Sequence, residues 1–160
     1  MRPPGVKCWA LQQEMSMSEM TLADLSEKMR DIDFAILSTR AEGGEIAGRP
    51  MSNNGDVEYD GDSFFFTYEQ THTVRDIKRD PQVGLSFTGA KGFLGKPPNF
   101  IVVEGKAELI RDKAQFEKHW TKDLDYWFKD GIDTPGIVLI KVHASRIHYW
   151  DGDDEGEIKL

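Results

Sequence analysis

The chain has 160 residues, 39% hydrophobic and 30% charged, with a formal net charge of −8 and one cysteine, Cys8. This acidic balance excludes nucleic acid, because phosphate backbones demand clustered Lys and Arg, and argues equally against anionic membrane surfaces. A single cysteine excludes an internal disulfide and any cysteine-rich metal site.

No stretch approaches the ~20 apolar residues of a membrane helix. The first residues carry Arg2 and Lys7 with no apolar run, so they do not read as a secretory signal. The expectation is a cytoplasmic protein with one domain over 19–152, a disordered leader over 1–18 and an acidic tail over 153–160. Cys8 lies in that leader and reads as incidental.

In chain order, Leu22, Leu25, Met29 and Ile32 recur at helical spacing after Thr21, which with Asp24 offers an N-terminal cap. Phe34 to Arg40 reads as a buried strand, residues 41–44 as a glycine-rich turn, and Glu45 to Asn54 as the returning strand. Pro50 implies that this second strand lies at an edge or a bulge. Asp60-Gly61 is a tight turn leading into a strand at Ser63 to Thr67.

A helix of about two turns follows at Thr73 to Arg79, stopped by Asp80-Pro81. Val83 to Phe87 is a strand, and Gly89 to Asn99 a loop. Phe100 to Ile110 is a long strand bent at Gly105. Arg111 to Lys129 reads as one amphipathic helix carrying Phe116, Trp120, Leu124, Trp127 and Phe128. A strand opens at Gly136 to Lys141, and a second stretch ends at Trp150. Short strands punctuated by turns, with peripheral helices, describe a small barrel. The tail after Asp151 reads as loose.

Two segments carry chemistry. One is Arg49-Pro50-Met51-Ser52-Asn53-Asn54, where a cation enters a half-buried strand. The other is Phe66-Thr67 followed by Thr71-His72-Thr73, which links a strand to a helix. A phosphate calls for a guanidinium, hydroxyl donors and the free N–H groups of a helix N-terminus. Arg49, Thr71, Thr73 and that helix start supply all three if the strands adjoin. A flavin ring also calls for flat apolar walls and a few backbone donors, which Phe66 and its neighbours offer. Plainer readings compete: Thr73 to Asp76 has capping-box spacing, and Arg49 alone would serve as a surface strand cation.

These segments resemble the flavin mononucleotide (FMN)-binding split-barrel superfamily, which includes the pyridoxine/pyridoxamine 5′-phosphate oxidases and the general stress protein 26 group. In those oxidases an Arg opens a short strand block, a Tyr-Thr pair ends the next strand, and Ser-Arg-Lys starts a helix. Here the block is Arg49 to Asn54, the pair is Phe66-Thr67, and Thr71-His72-Thr73 stands where Ser-Arg-Lys would. Ile147-His148-Tyr149-Trp150-Asp151-Gly152 is similar to their Ile-Glu-Phe-Trp-Gln-Gly. The stretch from Trp120 to Gly136 looks like the stress-protein group in particular.

The resemblance implies an α+β, mainly β fold: a Greek-key split β-barrel with flanking helices, binding FMN between the subunits of a homodimer. It implies cofactor contacts from Arg49, Pro50, Met51, Ser52, Phe66, Thr67, Thr71, His72, Thr73 and Trp150. Trp120, Trp127, Phe128 and Trp150 are candidates for the subunit interface or the adjoining pocket wall. His72 and Thr73 replace the family's Arg and Lys, which weakens the charge at the phosphate.

The chain also lacks the oxidases' Arg-Leu-His-Asp-Arg segment, and Asp153, Asp154, Glu155 and Glu157 stand near its place. The expected function is therefore an FMN-binding stress protein; the alternative is an FMN-dependent oxidoreductase that is not a true pyridoxamine phosphate oxidase. The four histidines lack metal-ligand spacing, and no metal site or catalytic residue is assigned.

Overall fold

The computed structural model describes residues 19–55 and 58–160. The leader at 1–18, with Cys8, lies outside the described residues. Helix α1, Leu22–Arg30, begins at a reciprocal cap. Thr21 Oγ1 accepts from the Asp24 N–H at 3.2 Å, and the Asp24 carboxylate accepts from the Thr21 N–H at 2.8 Å. The apolar stripe of α1 sends Leu25 and Met29 into the main core.

Seven strands form one antiparallel sheet: β1 Phe34–Arg40, β2 Ile46–Ser52, β3 Asp62–Tyr68, β4 Gln82–Thr88, β5 Phe100–Ile110, β6 Ile137–Asp151 and β7 Asp154–Lys159. Their order is β2-β1-β4-β5-β6-β3, with β7 paired beside β3 on the far half of β6. The curled sheet is a Greek-key split β-barrel, mainly β, flanked by α1, α2 (His72–Arg79) and α3 (Lys113–His119). Pro50 sits in β2, an edge strand, where its missing N–H breaks no ladder bond.

Alternation sends Ala35, Leu37, Leu85, Phe87, Ile101 and Val103 into the interior. β5 bends at Gly105, where a Cβ would stand 2.2 Å from the His143 carbonyl oxygen. The β5–β6 register shifts at that point, leaving Ser145 as the bulged residue, and the inward set of β6 changes from Val142 and Ala144 to Ile147 and Tyr149. The first four residues of β6, Ile137 to Ile140, are buried on both faces. Ile140 and Val142 serve the main core, while Ile137 and Leu139 join Phe66, Phe116 and Phe128 in a second cluster.

Three expectations are corrected here. The segment read as a loose acidic tail forms β7, because Glu157 meets both Arg146 and His148 of β6. The two stretches ending at Trp150 are one 15-residue strand. The single helix over 111–129 breaks at Trp120, whose backbone is extended, and resumes as 3₁₀ turn at Lys122–Tyr126. Packing decides that break: Trp120 and Phe128 both turn onto Phe66, at centroid distances of 4.9 and 6.4 Å. These two residues, read as candidates for the subunit interface or the adjoining pocket wall, pack in the second cluster, and Phe128 also lines the cavity between β2 and β3. Among the described residues no helix is long and apolar enough to cross a membrane.

Candidate functional site

The two ends of the sheet path, β2 and β3, do not pair with each other, so each leaves one side of its backbone free. Both line a cavity of about 740 Å³, within the usual range for small-molecule sites. Arg49, Pro50, Met51 and Ser52 reach it from β2, Phe66 and Thr67 from β3, and Thr71 and Thr73 from the start of α2. Eight of the ten residues singled out in the sequence therefore share one cavity. His72 and Trp150 do not line it.

At the α2 end, Thr71 is the helix cap: its hydroxyl accepts from the Val74 N–H at 3.4 Å and donates to the Tyr68 carbonyl at 2.9 Å. The capping-box spacing from Thr73 to Asp76 is not used as a cap. Thr73 is buried within the first turn, and Asp76 turns inward. Arg49 donates to Thr39 Oγ1 at 2.6 Å and lies 3.5 Å from Asp76, so it is anchored rather than a loose surface cation. A basin of about 410 Å³ lies beside the cavity, lined by Arg49, Arg75, Arg79, His72, Asp76 and the hairpin residues Glu42 and Glu45. Arg75 donates a 3.0 Å hydrogen bond to His72 Nδ1 there. Arg49 lines both spaces.

The connection into α2 is held by charge. Glu69 accepts from Arg111 Nε at 2.9 Å and from Lys78 Nζ at 2.7 Å. Those hydrogen bonds, Arg111 first, hold its carboxyl down at about 2.

At the other end, Phe64 and His119 line the cavity together with Asn53 and Trp127. Phe64 and Tyr68 are four residues apart on β3, roughly 13 Å at ~3.3 Å per residue. The His119 ring nitrogens have no hydrogen-bond partner among the described residues, and burial, then Lys118 and Lys141, push its pKa down. Sequence reading missed His119, since its partner Phe64 is distant in the chain. Nearby, the buried Tyr59 hydroxyl has no hydrogen-bond partner among the described residues. Burial, with Asp62 and Asp60, pushes that phenol up and keeps it protonated. Among the described residues no group of three or more His, Cys, Asp or Glu could hold a metal ion.

Trp150 lies on the outer face of the sheet, opposite Phe100 and Glu155. Ladder register places Pro50, Ile36, Ser86, Val102 and His148 in one row across this face. Phe34, Ile36 and Phe100 stand exposed on it. The face thus carries apolar side chains with small residues between them.

Comparison with solved structures defines the class first. A protein from Clostridium acetobutylicum, related to general stress protein 26 of Bacillus subtilis, superposes with a TM-score of 0.71. It shares 20% identity over 87% of this chain and 94% of its own. General stress protein 26 from Bacillus anthracis gives 0.68 at 25% identity, over 85% of this chain and 98% of that one. A heme binding protein from Mycobacterium smegmatis gives 0.66 at 14% identity, over 84% of this chain and 57% of its own. No curated protein matches the sequence. The fold is that of the split-barrel proteins. The sequence model described as pyridoxamine 5′-phosphate oxidase like matches residues 20–160, and the chain belongs to that family.

Proposed function

We propose that this protein binds FMN in the cavity between β2 and β3, as a general stress protein of the cytoplasm working as a homodimer. The observation that carries this reading is the position of Arg49. Its side chain lines both an aromatic-walled cavity and an arginine-rich basin at the start of α2. That pairing fits a ligand with a flat ring at one end and a phosphate at the other. The residues present fit FMN: Phe66, Trp127 and Leu124 offer apolar wall, the free edges of β2 and β3 offer backbone donors, and Arg49, Thr71 and Thr73 offer the polar end.

The dimer reading rests on the apolar outer face. Pairing two copies through Phe34, Ile36 and Phe100 removes exposed apolar area from water, and Trp150 lies on that same face. In such a pair Trp150, which does not line the cavity of its own chain, would serve the partner's.

His119 supports a second reading, an FMN-dependent oxidoreductase. When bound, FMN accepts and donates hydride. The neutral, unpartnered imidazole at the Phe64 end is suited to hold or pass a proton to a second reactant there. Pyridoxamine 5′-phosphate is a poor candidate for that reactant. Arg146 and His148, near the end of the chain, are already paired with Glu104 and Glu157. The test is the spectrum of the purified protein before and after dialysis against FMN, heme or buffer. A flavin spectrum is expected; retention of heme in preference to FMN would contradict the reading.

A further inference from the structure

Asp76 is a buried carboxylate whose two oxygens serve different elements. Oδ1 accepts from Arg79, one turn along α2, at 2.9 Å. Oδ2 accepts from the Thr39 hydroxyl of β1 at 2.8 Å, and Thr39 Oγ1 in turn accepts from Arg49 at 2.6 Å. Thr39 is 1% exposed and Asp76 6%, so water does not compete for these bonds. A hydroxyl has one hydrogen and two lone pairs. The Thr39 hydrogen goes to Asp76, so a lone pair must face Arg49, and the chain of bonds has one direction.

Arg79 at 2.9 Å and, at the longer distance of 3.5 Å, Arg49 both offset the Asp76 charge. The arm through Thr39 adds a second, neutral link between that carboxylate and Arg49. It crosses from β1 to the edge strand β2 and fixes a long side chain where the cavity and the basin meet. A guanidinium carries five N–H donors, and Thr39 and Asp76 engage one on each terminal nitrogen. An unheld arginine would lose its rotamer freedom when a ligand docked; this one is already ordered.

We infer that Thr39 and Asp76 are positioning residues for Arg49, which make the cavity selective for a ligand that ends in a phosphate. The inference rests on the flavin reading above. Around the guanidinium, Arg75 and Arg79 add positive charge, while Asp76, Glu42 and Glu45 oppose it. Placement therefore has to do what net charge alone does not.

The experiment is calorimetric titration of FMN and of riboflavin into wild-type protein and three variants that keep the net charge. Thr39→Val removes the bridging hydroxyl, Asp76→Glu shifts the carboxylate, and Thr39→Ser keeps a hydroxyl in place. In Thr39→Val and Asp76→Glu, the preference for FMN over riboflavin should fall about tenfold, the scale of one charge-assisted hydrogen bond. Riboflavin affinity should stay within about twofold, since the ring end of the cavity is untouched. Thr39→Ser should keep the wild-type preference, which guards against a mere folding defect in the valine variant. Equal losses for both ligands would show a structural role and overturn the inference. So would a full FMN preference in both Thr39→Val and Asp76→Glu. A wild-type protein that binds neither ligand would overturn the flavin reading, and this inference with it.

Discussion

Phe64 and His119 stack with ring centroids 3.6 Å apart and planes 15° from parallel, which holds the imidazole against the cavity wall. Because burial and the neighbouring Lys118 and Lys141 disfavour the charged ring, His119 should titrate below its ordinary value of 6.5. The unfolded chain then takes up this proton more readily than the folded one. Stability from this site is therefore intact above about pH 6.5 and falls as pH drops from there to the folded pKa. An NMR titration of the His119 ring protons measures it. Lys141→Ala should raise the midpoint, and a wild-type midpoint above 6.5 would refute the assignment.

Arg49→Ala should weaken FMN binding by about 1.5–3 kcal/mol, the range for hydrogen bonds to charged groups, and leave riboflavin nearly unaffected. Folding should survive, because Arg79 and Thr39 still satisfy Asp76. Thermal unfolding beside the titration distinguishes the two effects. An FMN loss below a few tenths of a kcal/mol would mean that Arg49 does not meet the ligand.

Glu69→Gln addresses the joint that presents Thr71. The carboxylate, held at about 2 by Arg111 and Lys78, contributes stability fully above its ordinary value of 4.5 and loses it as pH falls through about 2. Its side chain is 33% exposed, so solvent screening keeps the contribution near or below ~1 kcal/mol at pH 7. Urea unfolding should show the variant less stable at pH 7 and the gap closing with added salt or toward pH 2. A gap that widens in acid would reverse the sign of the argument.

Much of this architecture was legible because it rests on neighbours in the chain. Thr21 and Asp24 announce α1, the change of period at Phe34 to Arg40 announces β1, Pro50 points to an edge, and Gly105 marks the bend in β5. What escaped depends on distant partners. β7 contains one large apolar residue, Ile158, and reads as solvated acid until Arg146 and His148 lie alongside it. The break at Trp120 follows from Phe66 on β3, which helical spacing cannot reveal. At the site, Arg49, Thr71 and Thr73 stood out as phosphate chemistry. Asp76 looked like part of a cap because Thr39, its real partner, is far away in sequence.

Substituting Ile36→Asp should leave a folded monomer. Ile36 stands 43% exposed in the outer row, between Pro50 and Ser86, and paired charges facing each other across a two-fold contact repel. Light scattering should report twice 18.2 kDa for the wild type and 18.2 kDa for the variant. Trp150→Ala should remain a dimer yet hold flavin more weakly. A wild-type monomer at micromolar concentration would remove the partner role given to Trp150.

The central claim is that this cavity recognises a flavin through its phosphate. Its most direct test is a pair of equilibrium titrations on the wild-type protein, FMN against riboflavin, at fixed salt and pH 7. The account predicts saturable, one-per-chain binding of FMN with an affinity at least tenfold above that of riboflavin, equivalent to about 1.4 kcal/mol or more. Equal affinities, or no binding of either ligand, would contradict it.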